Sequence, residues 1–103
     1  MPAAGMADIV GPAVAKGRGV GAFNIIGIEH AEAVIAGAEA AGAPVVLAIS
    51  QNCVAYHGAV EPIARAALAL AGAAAVPVAV HLDHATGEDL VRAAVAVLSL
   101  IHI

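Results

Sequence analysis

An apolar segment of this 103-residue chain ends in a cluster of polar side chains that could do chemistry. The cluster consists of His81, Asp83 and His84, and a turn and a helix start follow it. A carboxylate can act as a general acid or base, and an adjacent imidazole can ligate a metal ion, so Asp83 and His84 could supply both functions side by side. The alternative is that the same residues cap the next helix or form hydrogen bonds in a turn. The spacing by itself leaves both interpretations open.

Hydrophobic periodicity predicts three strands, each followed by a helix, after a short first helix at 6–16. The stretch at 51–58 is predicted to be a polar loop that could include one helical turn, and Thr86 and Asp89 are expected to form a capping box at the start of the last helix. This order of elements is typical of βαβ units in a parallel sheet. The predicted strands are 20–25, 45–50 and 76–82. The helices that follow them are 29–41, 60–71 and a last helix whose apolar face lies within 90–97. Residues 98–103 could start a fourth strand.

Side chains alternate along a strand, and towards the end of all three predicted strands one face holds small residues and ends in a polar group. If the bulky faces pack on helices and the small ones share an interior, Asn24, Ser50 and Asp83 converge where the strands end. A (β/α)8 barrel is built in this way. The alternative fold, an open doubly wound sheet, predicts a glycine-rich phosphate turn after the first strand. The residues at 24–27, Asn-Ile-Ile-Gly, do not form such a motif.

Composition and charge argue against several classes of partner. The net charge is −4 and only four Lys and Arg residues are present, so no basic patch for nucleic acid exists. The longest apolar run, 66–80, is interrupted by Gly72 and Pro77 and is shorter than the roughly 18 residues of a membrane span, so no membrane partner is expected. A single cysteine, Cys53, forms no internal disulfide, and no targeting segment is visible. The cytoplasm is the expected location.

Four segments together resemble the amino-terminal part of class II fructose-bisphosphate aldolases, and of the related tagatose-bisphosphate aldolases. The most specific of them is the His81-x-Asp83-His84 block after Val-Pro-Val, and the resemblance extends from about residue 19 to about residue 96. The segments are Gly21-Ala-Phe-Asn24, Ala43-Pro-Val-Val-Leu-Ala-Ile-Ser50, Tyr56-His-Gly58 and Val76-Pro-Val-Ala-Val-His-Leu-Asp-His84.

The resemblance implies a (β/α)8 barrel with a catalytic zinc ion and a homo-oligomer when the protein is full length. Asp83 matches the acid/base that exchanges a proton with the C4 oxygen during C3–C4 bond cleavage, and His84 matches the first of three histidine ligands to zinc. Asn24 and Ser50 match polar residues that line the substrate pocket. The implied reaction is reversible cleavage of fructose 1,6-bisphosphate to dihydroxyacetone phosphate and glyceraldehyde 3-phosphate in glycolysis and gluconeogenesis, with zinc as the Lewis acid. Its partner is a phosphorylated sugar.

The chain supplies about three of the eight barrel units, so residues 1–103 are interpreted as the first part of one barrel domain. The other two histidine ligands, the base that removes the C3 proton and the phosphate-binding loops belong to later segments of the family. Residues 98–103 depart from the family pattern and are interpreted as a foreign or truncated tail. We therefore expect the chain to be inactive alone. The alternatives are an aldolase for tagatose bisphosphate or another ketose bisphosphate, or a truncated chain with no catalytic role.

The other histidines and the cysteine are interpreted as structural. His30 is expected on the solvated side of its helix without a chemical role, and His57 is expected to support a loop. His81 is expected to point into the barrel as a hydrogen-bonded neighbour of the site rather than as a ligand. Cys53 is expected to be a buried, unreactive thiol, because no base lies nearby in the sequence.

Overall fold

The computed structural model describes residues 3–97 and 101–102, and in them strands and helices alternate along the chain. The residues at the ends of several elements explain why those elements stop there. Gly42, in the left-handed conformation at φ 63°, ends the second helix. The elements are α1 (Met6–Ala15), β1 (Ala22–Asn24), α2 (Ile28–Ala41), β2 (Val45–Ser50), α3 (Gln51–His57), α4 (Val60–Ala73), β3 (Val78–Asp83), α5 (Glu88–Val97) and β4 (Ile101–His102).

The strands form one parallel sheet in the order β1-β2-β3-β4. Each strand therefore lies beside the strand that precedes it in the sequence. A doubly wound sheet reverses its strand order at a switch point, whereas the arc of a barrel does not. The fold is a partial (β/α)8 barrel of the α/β class, as predicted, and β4 confirms the predicted fourth strand at residues 101–102. Residues 98–100 and 103 of that prediction lie outside the described residues, and the interpretation of 98–103 as a foreign tail stays a prediction.

One face of the sheet packs against the helices and forms the main core. Leu47, in the middle of β2, is completely buried. Alanines of α4 let the helix axis approach the sheet closely, while the branched side chains of the strands fill the space between. The bulky strand faces therefore meet the helices, as the alternation predicted. The core residues of the two central strands and α4 are Val45, Leu47, Ile49, Val78, Val80, Leu82, Ala64, Ala67 and Ala71.

The opposite face has a second, smaller core at its amino-terminal end. Ile9 of α1 packs on Val46 and Ala79, and all three are buried. The backbone N–H of Ala4 donates to the carbonyl of Val78 at 3.0 Å and fixes the segment before α1 to the sheet. In the described residues, α1 therefore covers the amino-terminal end of this interior face and leaves the carboxyl ends of the strands uncovered.

Several predicted elements were wrong in detail. The stretch predicted to be a loop at 51–58 contains α3, because Ser50 caps its first turn and Gly58, at φ 87°, ends it. The third strand begins at Val78 rather than at residue 76, since Pro77 has no N–H to donate. Phe23 lies on the bulky face of β1, which was expected to pack on helices, and the residue is 51% exposed because β1 is an edge strand in the described sheet.

The predicted capping box of Thr86 and Asp89 was also wrong. Helix α5 begins at Glu88, so Thr86 lies two residues before it rather than at the cap position. The Thr86 hydroxyl and N–H instead donate to the side chain of Gln51.

In the described part of the chain, no helix is long and apolar enough to cross a membrane.

Candidate functional site

The register of the sheet brings polar side chains together at the carboxyl ends of the strands. Ser50 pairs with Asp83, and one step earlier Ala48 lies between Asn24 on β1 and His81 on β3. These positions all belong to the interior face, opposite the helix-packed core. The structure therefore places Asn24, Ser50 and Asp83 at one opening, with the small side chain of Ala48 between them.

Asp83 lies between two imidazoles. Its Oδ1 accepts a hydrogen bond from the backbone N–H of His84 at 2.9 Å and lies 3.7 Å from Nε2 of His81. Its Oδ2 lies 3.4 Å from Nε2 of His84. The carboxylate side chain is 36% exposed, so solvent or a ligand can reach it. A carboxylate held in this way can accept a proton from a substrate hydroxyl and return it.

His84 has the only non-glycine backbone at positive φ in the described residues, with φ at 50°. A non-glycine residue in the left-handed region costs roughly 1–2 kcal/mol. The hydrogen bond from its own N–H to Asp83 compensates for part of that cost. The left-handed turn directs the chain away from the end of β3, and the imidazole is 77% exposed. Such strained backbone occurs at active sites and ligand clamps, which favours a functional role for His84.

Gln51, the first residue of α3, was not predicted as a site residue. Its Oε1 accepts hydrogen bonds from the backbone N–H groups of Thr86 at 2.8 Å and Gly87 at 3.2 Å. It thus connects the end of β2 to the loop that follows His84. The sequence offered one signal for this contact. Gln51 follows Ser50 directly, at the same sheet edge as Asp83.

Ser50 has a structural task in addition to its position at the opening. Its Oγ accepts a hydrogen bond from the backbone N–H of Cys53 at 3.1 Å and caps α3. The cap uses the hydroxyl as an acceptor, so its proton is available to a ligand. Ser50 therefore combines the structural and the functional interpretation of a polar residue at a strand end.

We expect Ser50→Ala to lower the free energy of unfolding by about 0.5–2 kcal/mol, because the first turn of α3 loses its side-chain cap. Urea denaturation followed by circular dichroism measures the change. Ser50→Thr is the matched control, since its hydroxyl can accept the same N–H without adding a charge beside Asp83, and it should restore most of the stability. An alanine variant as stable as the parent would show that the cap contributes nothing.

His30, His57 and Cys53 contact backbone groups near the loop between β1 and α2. Nδ1 of His30 accepts the N–H of Gly27 at 3.0 Å, so His30 caps α2 rather than only facing solvent. Nε2 of His57 contacts the carbonyl oxygen of Ile26. Burial raises the pKa of the Cys53 thiol, which keeps the thiol protonated and unreactive at neutral pH. These contacts are all structural ones.

The described residues contain no group of three or more His, Cys, Asp and Glu side chains that could hold a metal ion. His84 nevertheless fits the role of one ligand, since its imidazole is exposed, its backbone is fixed and Asp83 lies beside it. Imidazole is a common zinc ligand, and a catalytic zinc usually has three protein ligands. This part of the chain can therefore supply one donor of such a site.

Comparison with known proteins gives consistent matches. The sequence pattern of the family described as Fructose-bisphosphate aldolase class-II matches residues 4–99. The chain is 43% identical over 84 residues to a fructose-bisphosphate aldolase of Thermus caldophilus, covering 82% of this chain and 27% of that protein. It is 34% identical over 92 residues to a 6-phospho-5-dehydro-2-deoxy-D-gluconate aldolase of Shouchella clausii, covering 87% of this chain and 31% of that protein.

The same relationship is seen among solved structures. The crystal structure of the YdjI aldolase from Escherichia coli K12 superposes with a TM-score of 0.81 at 25% sequence identity. The match covers 91% of this chain and 36% of that chain. The chain thus spans about a third of the length of the proteins that it matches.

Proposed function

The chain belongs to the class II fructose-bisphosphate aldolase family, and we propose on that basis that it forms the first part of a zinc-dependent aldolase. The proposed reaction is the reversible cleavage of fructose 1,6-bisphosphate to dihydroxyacetone phosphate and glyceraldehyde 3-phosphate. The observation that carries the proposal is the Asp83 carboxylate, which lies 3.4 Å from the exposed imidazole of His84 at the open end of the barrel arc.

Asp83 is proposed to exchange a proton with the C4 oxygen of the sugar. Cleavage of the C3–C4 bond turns the C4 hydroxyl into a carbonyl, so a base must take the hydroxyl proton as the bond breaks. Oδ1 of Asp83 is held by the His84 N–H, whereas Oδ2 faces the imidazole of His84 at the opening. In the direction of synthesis the same carboxyl group returns the proton.

His84 is proposed to be one ligand of the zinc ion, with the other ligands supplied by segments outside this chain. Bound zinc would polarise the carbonyl group of the substrate as a Lewis acid. The role of this chain is to hold one imidazole in place, which it does through the left-handed turn at His84 and the hydrogen bond to Asp83. Because both residues share that hydrogen bond, the ligand and the base are positioned together.

Asn24 and Ser50 are proposed to bind hydroxyl or phosphate oxygens of the sugar. Asn24 ends the edge strand β1 with an exposed amide, and Ser50 keeps its hydroxyl proton available beside Asp83. Neutral donors of this kind orient a polar substrate without competing for the proton that Asp83 carries. Their location on β1 and β2, the two strands that precede β3 in the sheet, supports a pocket that spans the interior face.

The most specific part of the proposal is the identity of the sugar that is cleaved. Fructose bisphosphate is supported by the name of the Thermus caldophilus relative. An aldolase for 6-phospho-5-dehydro-2-deoxy-D-gluconate is the second candidate, because a relative with that name is 34% identical to this chain. Tagatose bisphosphate, homo-oligomer formation and a cytoplasmic location stay predictions.

We expect the 103-residue chain alone to show no aldolase activity with added zinc, because one imidazole does not make a catalytic zinc site. The matched test is a chimera in which residues 3–97 replace the corresponding segment of the Thermus caldophilus relative. The chimera should cleave fructose 1,6-bisphosphate and lose activity on treatment with a chelator. A folded chimera that stays inactive with zinc would overturn the proposed function. Turnover by the 103-residue chain would overturn our account of the missing ligands.

A further inference from the structure

We propose that Gln51 is a positioning residue that sets the place of the His84 imidazole by holding the loop that follows it. The inference rests on the proposed function, because it gives that loop the task of presenting a metal ligand. The loop consists of residues 84–87, between the end of β3 and the start of α5. Gln51 reaches it from a different element, the first turn of α3.

A single side-chain atom of Gln51 accepts two backbone hydrogen bonds from the loop. Oε1 of Gln51 accepts the backbone N–H of Thr86 at 2.8 Å and that of Gly87 at 3.2 Å, and the Thr86 hydroxyl lies 3.4 Å away. These backbone donors are two and three residues beyond His84. An acceptor shared by two consecutive N–H groups fixes the direction of the chain as well as its position. The loop is thereby fixed at its carboxyl end.

The amino-terminal end of the same loop is fixed by Asp83, whose Oδ1 accepts the His84 N–H at 2.9 Å. His84 lies between these two anchors with φ at 50°, a conformation that relaxes if either end is released. The exposed imidazole has little packing of its own to hold it. Its location therefore depends on the backbone, and Gln51 supplies the anchor that comes from outside β3.

Gln51 is also well placed to be rigid itself. It follows Ser50, whose hydroxyl caps α3, and Ser50 pairs with Asp83 across the sheet. The end of β2 thus positions both a residue of the proposed pocket and the support of the metal-ligand loop. An amide acceptor performs this task without adding a charge beside Asp83 and His84.

Three variants of the chimera, numbered as in this chain, test the inference: Gln51→Leu, Gln51→Glu and, as a control, Asn52→Ala, which changes the exposed neighbour of Gln51. Leucine keeps the size of the side chain and removes the acceptor, whereas glutamate retains it. Circular dichroism and urea denaturation establish that each variant is folded. We measure amide hydrogen exchange of Thr86 and Gly87 by mass spectrometry, and the zinc concentration that half-protects His84 from diethylpyrocarbonate.

In Gln51→Leu we expect exchange at Thr86 and Gly87 to rise at least tenfold and the half-protecting zinc concentration to rise at least threefold. In Gln51→Glu the exchange at Thr86 and Gly87 should stay within twofold of the parent, and in Asn52→Ala both values should do so. Unchanged exchange in Gln51→Leu, or faster exchange with unchanged zinc protection, would overturn the inference. If zinc fails to protect His84 in the parent chimera, which supplies the other ligands, the metal role of His84 is wrong and the proposed function fails. The exchange rates then still decide whether Gln51 holds the loop.

Discussion

Replacing Asp83 with alanine in the active chimera is expected to lower kcat for cleavage of fructose 1,6-bisphosphate by about 10²–10⁴-fold, the usual contribution of a positioned general acid or base. The variant should still bind zinc, because Asp83 is proposed as the base and not as a ligand. Steady-state kinetics and the zinc content of the dialysed protein measure the two effects. Together they separate loss of proton transfer from loss of the metal.

Two further variants make the Asp83 result specific. Asp83→Asn keeps an oxygen that can accept the His84 N–H, so the loop stays in place while the base is removed. It should be nearly as slow as Asp83→Ala. Asp89→Ala removes an exposed carboxylate from the first turn of α5 and should leave kcat unchanged. Full activity in Asp83→Asn would show that the proton moves through another group.

Replacing His84 with alanine is expected to remove zinc from the chimera and to abolish activity at low zinc concentration. Loss of a residue that merely supports a metal ligand already weakens metal affinity about 10–100-fold, and loss of a ligand should cost more than that. Zinc titration with a competing chelator measures the affinity, and activity is measured in parallel over the same range of zinc.

His30→Ala is the control for the His84 variant. His30 is an exposed histidine whose Nδ1 accepts the Gly27 N–H, so its loss should weaken α2 slightly and leave zinc affinity unchanged. The two variants together distinguish a metal ligand from a histidine that contributes only to folding. Equal zinc affinity in the His84 variant and the parent chimera would contradict the role given to His84.

The parts of the fold that could be predicted depend on local signals. The bounds of β2 were predicted correctly because Pro44 precedes an unbroken apolar run and Ser50 ends it. Alternation along each strand was enough to assign the helix-packed and interior faces, and hence to place Asn24, Ser50 and Asp83 at one opening. These inferences need only the period of a strand and the parallel order of βα units.

The features that were missed depend on side-chain hydrogen bonds that hydrophobic periodicity does not reveal. Helix α3 has seven residues and little periodicity, and it forms because Ser50 caps it. Thr86 does not cap α5, because the helix begins two residues later at Glu88 and the Thr86 hydroxyl instead donates to Gln51, 35 residues earlier. The left-handed backbone of His84 was missed for the same reason, since it is held by the Asp83 side chain rather than by a glycine at that position.

The most direct test of the account is a crystal structure of the chimera with zinc, with the metal located by anomalous scattering at its absorption edge. We predict an anomalous peak about 2.0–2.1 Å from a ring nitrogen of His84, the usual zinc–imidazole distance. Asp83 should lie beside the metal without being its ligand, and the Gln51 amide should remain bonded to the loop. A zinc ion at the barrel mouth with no contact from His84 would contradict the account.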